Sequence, residues 1–346
     1  MMQKTLIVHH RNGIGDLVWH VPYIRAIARD SANGKVTVLA RPSCRARDLL
    51  AGESCVEEVI EYDRRPRGGG MGRHEGFRGQ WQFLRMLRGK KFDRIVIFSG
   101  RTRYGFLALL AGIPQRLGFG FAAWQRLFLN KPPYIARFAG QGSWVYPEAT
   151  DFAVAHGFVE SAVVPKLAVP AALAVEVEAE LASLPHPRIV LAIGASHPRK
   201  NWGGEKFLAL ARTLVAAGNG VLILGGPAER EAAEAVYACD PILLAAGTTR
   251  VMCQPSVLRS AAALQVCDFC VGNDTGMLNV AVAVNVPSLG LFGPTLPLQH
   301  DPLLHGISAP DMENISMQMV LDRLASFSIP VAALDMQNDG MPAGLN

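Results

Sequence analysis

The stretch DFCVGNDTGMLNVAVAVNVPSLGLFGPT, residues 268–295, decides the fold. A short apolar run ends at Gly272, and the polar cluster Asn273-Asp274-Thr275-Gly276 follows. An Ala/Val-rich helical segment comes next, and Val286–Phe292 reads as a second buried strand. Strand, polar turn, helix and strand make a βαβ unit, and its helix N-terminus presents free backbone N–H groups over the turn. Those groups and the helix dipole favour an anion such as a pyrophosphate. A carboxylate at Asp274 cannot bind phosphate itself. It suits either an N-cap or an acceptor for sugar hydroxyls beside the phosphate.

Outward from this unit, the same alternation recurs along most of the chain. In the first half, strands are expected at Lys4–His9, Val36–Ala40, Val56–Ile60, Arg94–Phe98 and Gln115–Gly118, with helices at Leu17–Arg29, Cys44–Leu50, Trp81–Leu87 and Phe106–Ala111. A Pro- and Ala-rich stretch at 166–187 reads as a linker with a short helix at Val175–Leu184. Strands then follow at Arg188–Ile193, Val221–Leu224, Ile242–Leu244 and Phe269–Gly272, separated by helices at Gly204–Ala217, Ala228–Ala238 and Ser256–Leu264. Alternating strands and helices predict parallel, doubly wound sheets. The expected organisation is an α/β protein of two Rossmann-like domains, 1–165 and 188–311, facing across a cleft. Residues 312–346 supply a closing helix at Met312–Ala325 and a weakly ordered tail.

Composition narrows the function classes. Of 346 residues, 50% are hydrophobic and 18% charged, which suits two well-buried cores. No apolar run is long enough to span a bilayer. The N-terminus enters a strand directly, without a secretory apolar region, so a cytoplasmic location is expected. The six cysteines are too sparse for a disulfide framework. Cys267 and Cys270 fall on opposite faces of a strand, which argues against their sharing a metal. Charge is unevenly divided: residues 1–165 hold 24 Lys/Arg against 13 Asp/Glu, and residues 166–346 hold 10 against 16. A basic first half implies an anionic partner. Nucleic acid is the weaker candidate, because aromatic residues make up only 8% and no nucleic-acid module signature is present.

Three further loops carry candidate chemistry, each after an expected strand, where open α/β sheets bind ligands. Arg11-Asn12-Gly13-Ile14-Gly15-Asp16 offers two glycines for close backbone approach, and Asp16 as N-cap or general base. Val18 occupies the third position of the dinucleotide fingerprint, which argues against NAD. In the loop 193–202, Ser196 and Lys200 can meet phosphate oxygens, although the Walker A pattern is absent. Glu229, after Gly225-Gly226-Pro227, is favoured by a helix dipole or can accept from ribose hydroxyls. A fourth segment, 63–79, has no apolar period. It holds Arg64, Arg65 and Arg67 and reads as a long mobile loop of the kind that often serves as a lid or binding element.

In order and spacing, Gly13-Ile14-Gly15-Asp16, Lys200-Asn201-Trp202, Asn273-Asp274-Thr275-Gly276 and Leu291-Phe292-Gly293-Pro294-Thr295 resemble glycosyltransferase family 9, the heptosyltransferases of lipopolysaccharide core assembly. The resemblance runs over roughly residues 4–300 and implies a GT-B fold with an N-terminal acceptor domain and a C-terminal nucleotide-sugar domain, which puts the loop 63–79 on the acceptor side. It implies Asp16 as the catalytic base, and Lys200 on the pyrophosphate with Ser196 nearby. It also implies Glu229 on the ribose, and Asp274, Thr275 and Gly276 in the donor-binding turn. The family carries His three residues after that Gly; this chain has Asn279, which donates and accepts hydrogen bonds but holds no positive charge. The activity implied by the resemblance is a metal-independent, cofactor-free, inverting transfer of a sugar, heptose in this family, from an ADP-sugar to an anionic glycolipid at the inner face of the cytoplasmic membrane. A 2-epimerase-like sugar-nucleotide enzyme and a non-catalytic nucleotide-sugar binder are the alternatives.

Overall fold

A computed structural model describes residues 2–64, 70–297 and 299–332. Its first sheet consists of β1 (Gln3–His9), β2 (Ser31–Ala40), β3 (Val56–Glu61), β4 (Arg94–Phe98) and β5 (Gln115–Gly118), in the order β3-β2-β1-β4-β5. The second consists of β6 (Arg188–Ala192), β7 (Gly220–Gly225), β8 (Thr249–Cys253), β9 (Phe269–Asn273), β10 (Ser288–Phe292) and β11 (Leu304–Ser308), in the order β11-β10-β9-β6-β7-β8. Each strand pairing is parallel. Strands β4, β6, β9 and β10 are buried along their whole length, so they read as unbroken apolar runs rather than alternating ones.

The order reverses between β1 and β4 in the first sheet and between β6 and β9 in the second. Those are the topological switch points, where doubly wound sheets open a crevice beyond the strand ends. The loops after β1, β6 and β9 are the ones singled out by sequence.

The lobes pack closely. Helix Ile14–Arg29 lies on helix Gly276–Ala283, and Val18 and Val21 share one apolar cluster with Val280 and Ala283. Polar contacts pin the same seam. Asp48 accepts from Ser256 Oγ at 2.9 Å and from the Val257 N–H at 2.5 Å. The expected linker is built structure: its helix runs Ala171–Leu181 and packs on helix Val257–Gln265. Ahead of it, the Leu167 N–H bonds to Ala283 O in the second lobe, and the Ala168 N–H bonds to Glu53 in the first.

Several expectations need correction. Ile242–Leu244 is not a strand but part of helix Pro241–Ala246. Asp240 caps it by accepting from the Ile242 and Leu243 N–H groups, and Pro241 pre-sets its first turn. The strand of that unit is β8. Strand β11 and helix Val145–Ala155 were not expected from sequence, and the last helix runs Met317–Ser326. The segment 63–79 is shorter as a loop than expected, because helix Gly76–Lys90 starts ahead of Trp81. Two glycines in its first turn hide the apolar period that Phe77 begins. Part of the loop is tied down, since Asp63 and His74 exchange two hydrogen bonds, N–H to Nδ1 at 3.0 Å and N–H to O at 2.6 Å. Arg65 and Arg67 lie outside the described residues, as does the tail from 333.

Candidate active site

At the seam two glycine turns touch. A Cβ on Gly276 would meet the Gly15 backbone nitrogen at 2.9 Å, and a Cβ on Gly15 would meet Asn279 Nδ2 at 2.7 Å and Gly276 Cα at 3.3 Å. Only two residues without side chains permit this approach. Asn279 is buried and accepts from the Trp19 indole N–H at 2.9 Å; its own amide nitrogen donates to Thr275 O at 3.4 Å. The same indole N–H is 2.9 Å from His300 Nε2, so Trp19 of the first lobe is held by two residues of the second.

Asp16 stands beside this contact in the first turn of helix Ile14–Arg29, whose N-cap is Gly13 rather than the carboxylate. Burial raises its pKa, opposed by the Arg11 guanidinium, a hydrogen bond from the Gly13 backbone and the Lys200 ammonium. Lys200 belongs to the other lobe, and its charge favours the ionised Asp16 across the seam. The nearby imidazoles are held in their neutral form. Burial pushes His10 and His20 down to about 3, and His300 down to about 4. These imidazoles are therefore neutral near pH 7, and Asp16 is the anionic oxygen acceptor beside them.

Across the crevice, Lys200 Nζ lies 2.5 Å from Asp274 Oδ2, and Thr295 Oγ1 donates to the same oxygen at 2.8 Å. Asp274 is therefore not the helix N-cap: that position is Thr275, with no side-chain cap bond, and helix Gly276–Ala283 begins one residue later. Asn273 fixes the geometry from below. Its buried amide donates to Ile193 O at 2.9 Å and Gly194 O at 3.2 Å and accepts from the Trp202 N–H at 3.0 Å. That staples the Lys200 loop to the end of β9. Asn273→Ala strands these buried partners and is expected to lower unfolding stability by about 2–4 kcal/mol, measured by chemical denaturation. A loss below about 0.5 kcal/mol would show that the staple carries little.

Glu229 sits beside Gly194, and its Oε2 accepts from the Gly226 N–H at 2.9 Å, a cap-like role. Ser196 is exposed on the Lys200 loop. The structure thus gathers Gly13, Gly15, Asp16, Lys200, Asp274, Thr275, Gly276 and Asn279 at one seam, with Glu229 and Ser196 along the second lobe's side of the crevice.

Two cavities of the first lobe adjoin the site. One, of about 290 Å³, is lined by Arg11, His10, His20, Arg101, Arg137 and Glu148, among others. The other, of about 270 Å³, takes in Arg41, Arg64, Arg101 and Arg103 with Tyr62 and Tyr104. Arg64 is the one expected acceptor-side arginine among the described residues here. Arg101 and Arg103 escaped the sequence reading, although they follow the end of β4 at the switch point, which is the signal that could have found them.

Comparison with known proteins identifies the family and the fold. The profile of Glycosyltransferase family 9 (heptosyltransferase) matches residues 80–316. The chain is 26% identical over 230 residues to lipopolysaccharide heptosyltransferase 2 of Escherichia coli K12, a match spanning 63% of this chain and 65% of that protein. It is 24% identical over 307 residues to lipooligosaccharide heptosyltransferase 2 of Haemophilus influenzae, over 84% and 83% of the two chains. Among solved structures it resembles E. coli ADP-heptose LPS heptosyltransferase II, with a TM-score of 0.71, 21% identity and coverage of 93% and 98%. A family 9 glycosyl transferase of Veillonella parvula gives a TM-score of 0.75 at 17% identity, over 94% and 96%. The fold is GT-B, and the chain belongs to glycosyltransferase family 9 (heptosyltransferase).

Proposed function

We propose that the chain transfers heptose from ADP-heptose, with inversion, to a hydroxyl of an anionic lipid-linked acceptor of the lipopolysaccharide core. The observation that supports this most is the backbone contact between Gly15 and Gly276, which brings the turn that carries Asp16 against the turn that follows Asp274, itself paired with Lys200. The acceptor oxygen attacks the anomeric carbon from the side of Asp16, while the bond from that carbon to the diphosphate breaks and ADP leaves. Asp16 takes the hydroxyl proton. One displacement of this kind inverts the anomeric centre.

Charge grows on the diphosphate as the bond breaks, and the groups placed to meet it are Lys200 and the N–H groups at Thr275–Gly276. Asp274 and Thr295 hold the Lys200 ammonium in place beforehand, so little reorganisation is needed. Fixed donors of this kind do the work without a metal ion. Asp274 itself is placed for sugar hydroxyls, Ser196 for a phosphate oxygen and Glu229 for the ribose. The arginines of the first lobe suit an acceptor bearing phosphates or carboxylates, and the chain works as a peripheral protein at the inner face of the cytoplasmic membrane.

The test is a transfer assay with ADP-heptose and lipopolysaccharide-core acceptors, run beside ADP-, UDP- and GDP-sugar controls. ADP-heptose binding with no transfer to any core acceptor would leave a sugar-nucleotide binder and defeat the proposal. Lys200→Ala is expected to weaken ADP binding about 10- to 100-fold, read by calorimetry, because a charged hydrogen bond to phosphate is lost. Unchanged ADP affinity would remove Lys200 from the diphosphate.

A further inference from the structure

The first lobe carries an apolar groove that the transfer chemistry does not use. It lies between helices Gly76–Lys90 and Thr102–Leu110, holds about 460 Å³, and is lined by Phe77, Trp81, Leu84, Phe106, Leu107 and Leu110 among others. Phe77 is 84% exposed, Trp81 47% and Phe106 44%, and Leu109 and Leu110 continue the patch. Phe77, Trp81 and Leu84 follow one helical stripe, as do Phe106 and Leu110 on the other helix. Isolated exposed apolar residues are ordinary, but large ones clustered on facing helices mark a contact surface.

The surroundings identify the partner. Arg78, Arg85 and Arg88 lie exposed on the first helix, Arg103 flanks the groove from the second, and neither helix contains an acidic residue. Apolar side chains ringed by arginine, with Trp at the edge, suit the headgroup boundary of an anionic bilayer, where the cations meet lipid phosphates and the rings enter the acyl region. A second copy fits poorly, because a self-complementary interface would set these cations against one another. The groove also leads inward. It shares Tyr62, Arg64 and Arg103 with the four-arginine cavity, which shares His10 and Arg101 with the cavity beside Arg11.

We propose that this face docks the protein on an anionic membrane by inserting Phe77, Trp81 and Phe106, with the inner cavities opening towards lipid-borne acceptors. The purpose given to docking rests on the transferase reading, whereas the surface itself does not. Attachment then has an apolar part as well as a Coulombic one, so salt weakens it without abolishing it.

The test is co-sedimentation with vesicles of phosphatidylcholine alone or mixed with phosphatidylglycerol, at low and high salt. The intact chain is expected to prefer the mixed vesicles and to keep measurable binding at high salt. Phe77→Ser combined with Phe106→Ser is expected to lower partitioning at least about tenfold. Phe77→Ser alone should lower it too with an unchanged melting temperature, since that ring is 84% exposed, whereas Phe106 also packs on Phe128. Arg78→Gln with Arg85→Gln is expected to weaken binding at low salt and leave the high-salt remainder. Equal binding by the Phe variant would overturn the proposal, and so would equal capture by neutral vesicles. A dimer of the intact chain that the Phe variant dissociates, without vesicle binding, would overturn it in favour of a second copy. Vesicle binding by a chain that transfers no sugar would keep this inference and sink the transferase reading.

Discussion

Asp16→Asn is expected to lower kcat/KM for sugar transfer by about 10³-fold while leaving ADP affinity unchanged. The substitution keeps the shape of the side chain and removes its capacity to take a proton. Because Asp16 belongs to the first lobe and the nucleotide groups to the second, binding and chemistry separate cleanly. Retention of more than about a tenth of the activity would remove Asp16 from the base role. Its raised pKa also shifts the acid limb of kcat/KM upward from where an ordinary aspartate would put it. Arg11→Gln removes a cation that holds the value down, so that limb should move to still higher pH. A limb that stayed in place or moved down would contradict the assignment.

The Asp16→Asn variant should also be more stable than the parent at neutral pH. Burial raises the Asp16 pKa in the folded state, so the native protein binds that proton more tightly than the unfolded chain does. Ionisation therefore costs folding stability, and the cost is complete above the folded pKa. As pH falls through the folded value towards the unfolded one, the cost fades and the two proteins should converge. Melting temperatures across that range provide the measurement. Loss of activity with gain of stability is the mark of a charge held for function rather than for folding.

How much of this was legible in sequence depends on what surrounds each segment. The strands β1, β4, β6 and β9 could be read because parallel strands covered on both faces leave continuous apolar runs. Strand β8 could not, because its burial is only partial and the apolar Ile242–Leu244 next to it is more conspicuous. There the Asp240-Pro241 helix signal should have prevailed. The turns Gly13–Asp16 and Asp274–Gly276 were visible as turns, but their contact was not. Closure depends on Trp19, Asn279 and His300, which come from distant parts of the chain and share one indole N–H. The basic cavity escaped for a similar reason, since Arg41, Arg64, Arg101 and Arg103 follow three different strands and converge only when β1 pairs with both β2 and β4.

That closure gives the second large effect. Gly15→Ala places a Cβ 2.7 Å from Asn279 Nδ2, inside any real contact distance, and Asn279 has little freedom because Trp19 and the Thr275 carbonyl hold its amide. Relief requires the two turns to move apart, which carries Asp16 away from the Lys200 side. A misplacement of about 1 Å at a reacting centre costs roughly 10²-fold, so kcat should fall by about that factor. ADP affinity should change little, because Lys200, Asp274 and Thr275 all belong to the second lobe. The double variant Gly15→Ala, Asn279→Ala tests the cause. Without the Asn279 amide, the next neighbour is Gly276 Cα at 3.3 Å, a contact that a shift of a few tenths of an ångström can absorb. The double variant should therefore recover part of the lost rate and be more active than Gly15→Ala alone, although Asn279→Ala by itself gives up the bond from Trp19. Such non-additivity is the signature of two residues in direct steric conflict. Additive losses would mean that the Gly15–Asn279 contact does not set the spacing between the lobes. The crevice would then have to owe its geometry to the apolar packing of helix Ile14–Arg29 against helix Gly276–Ala283.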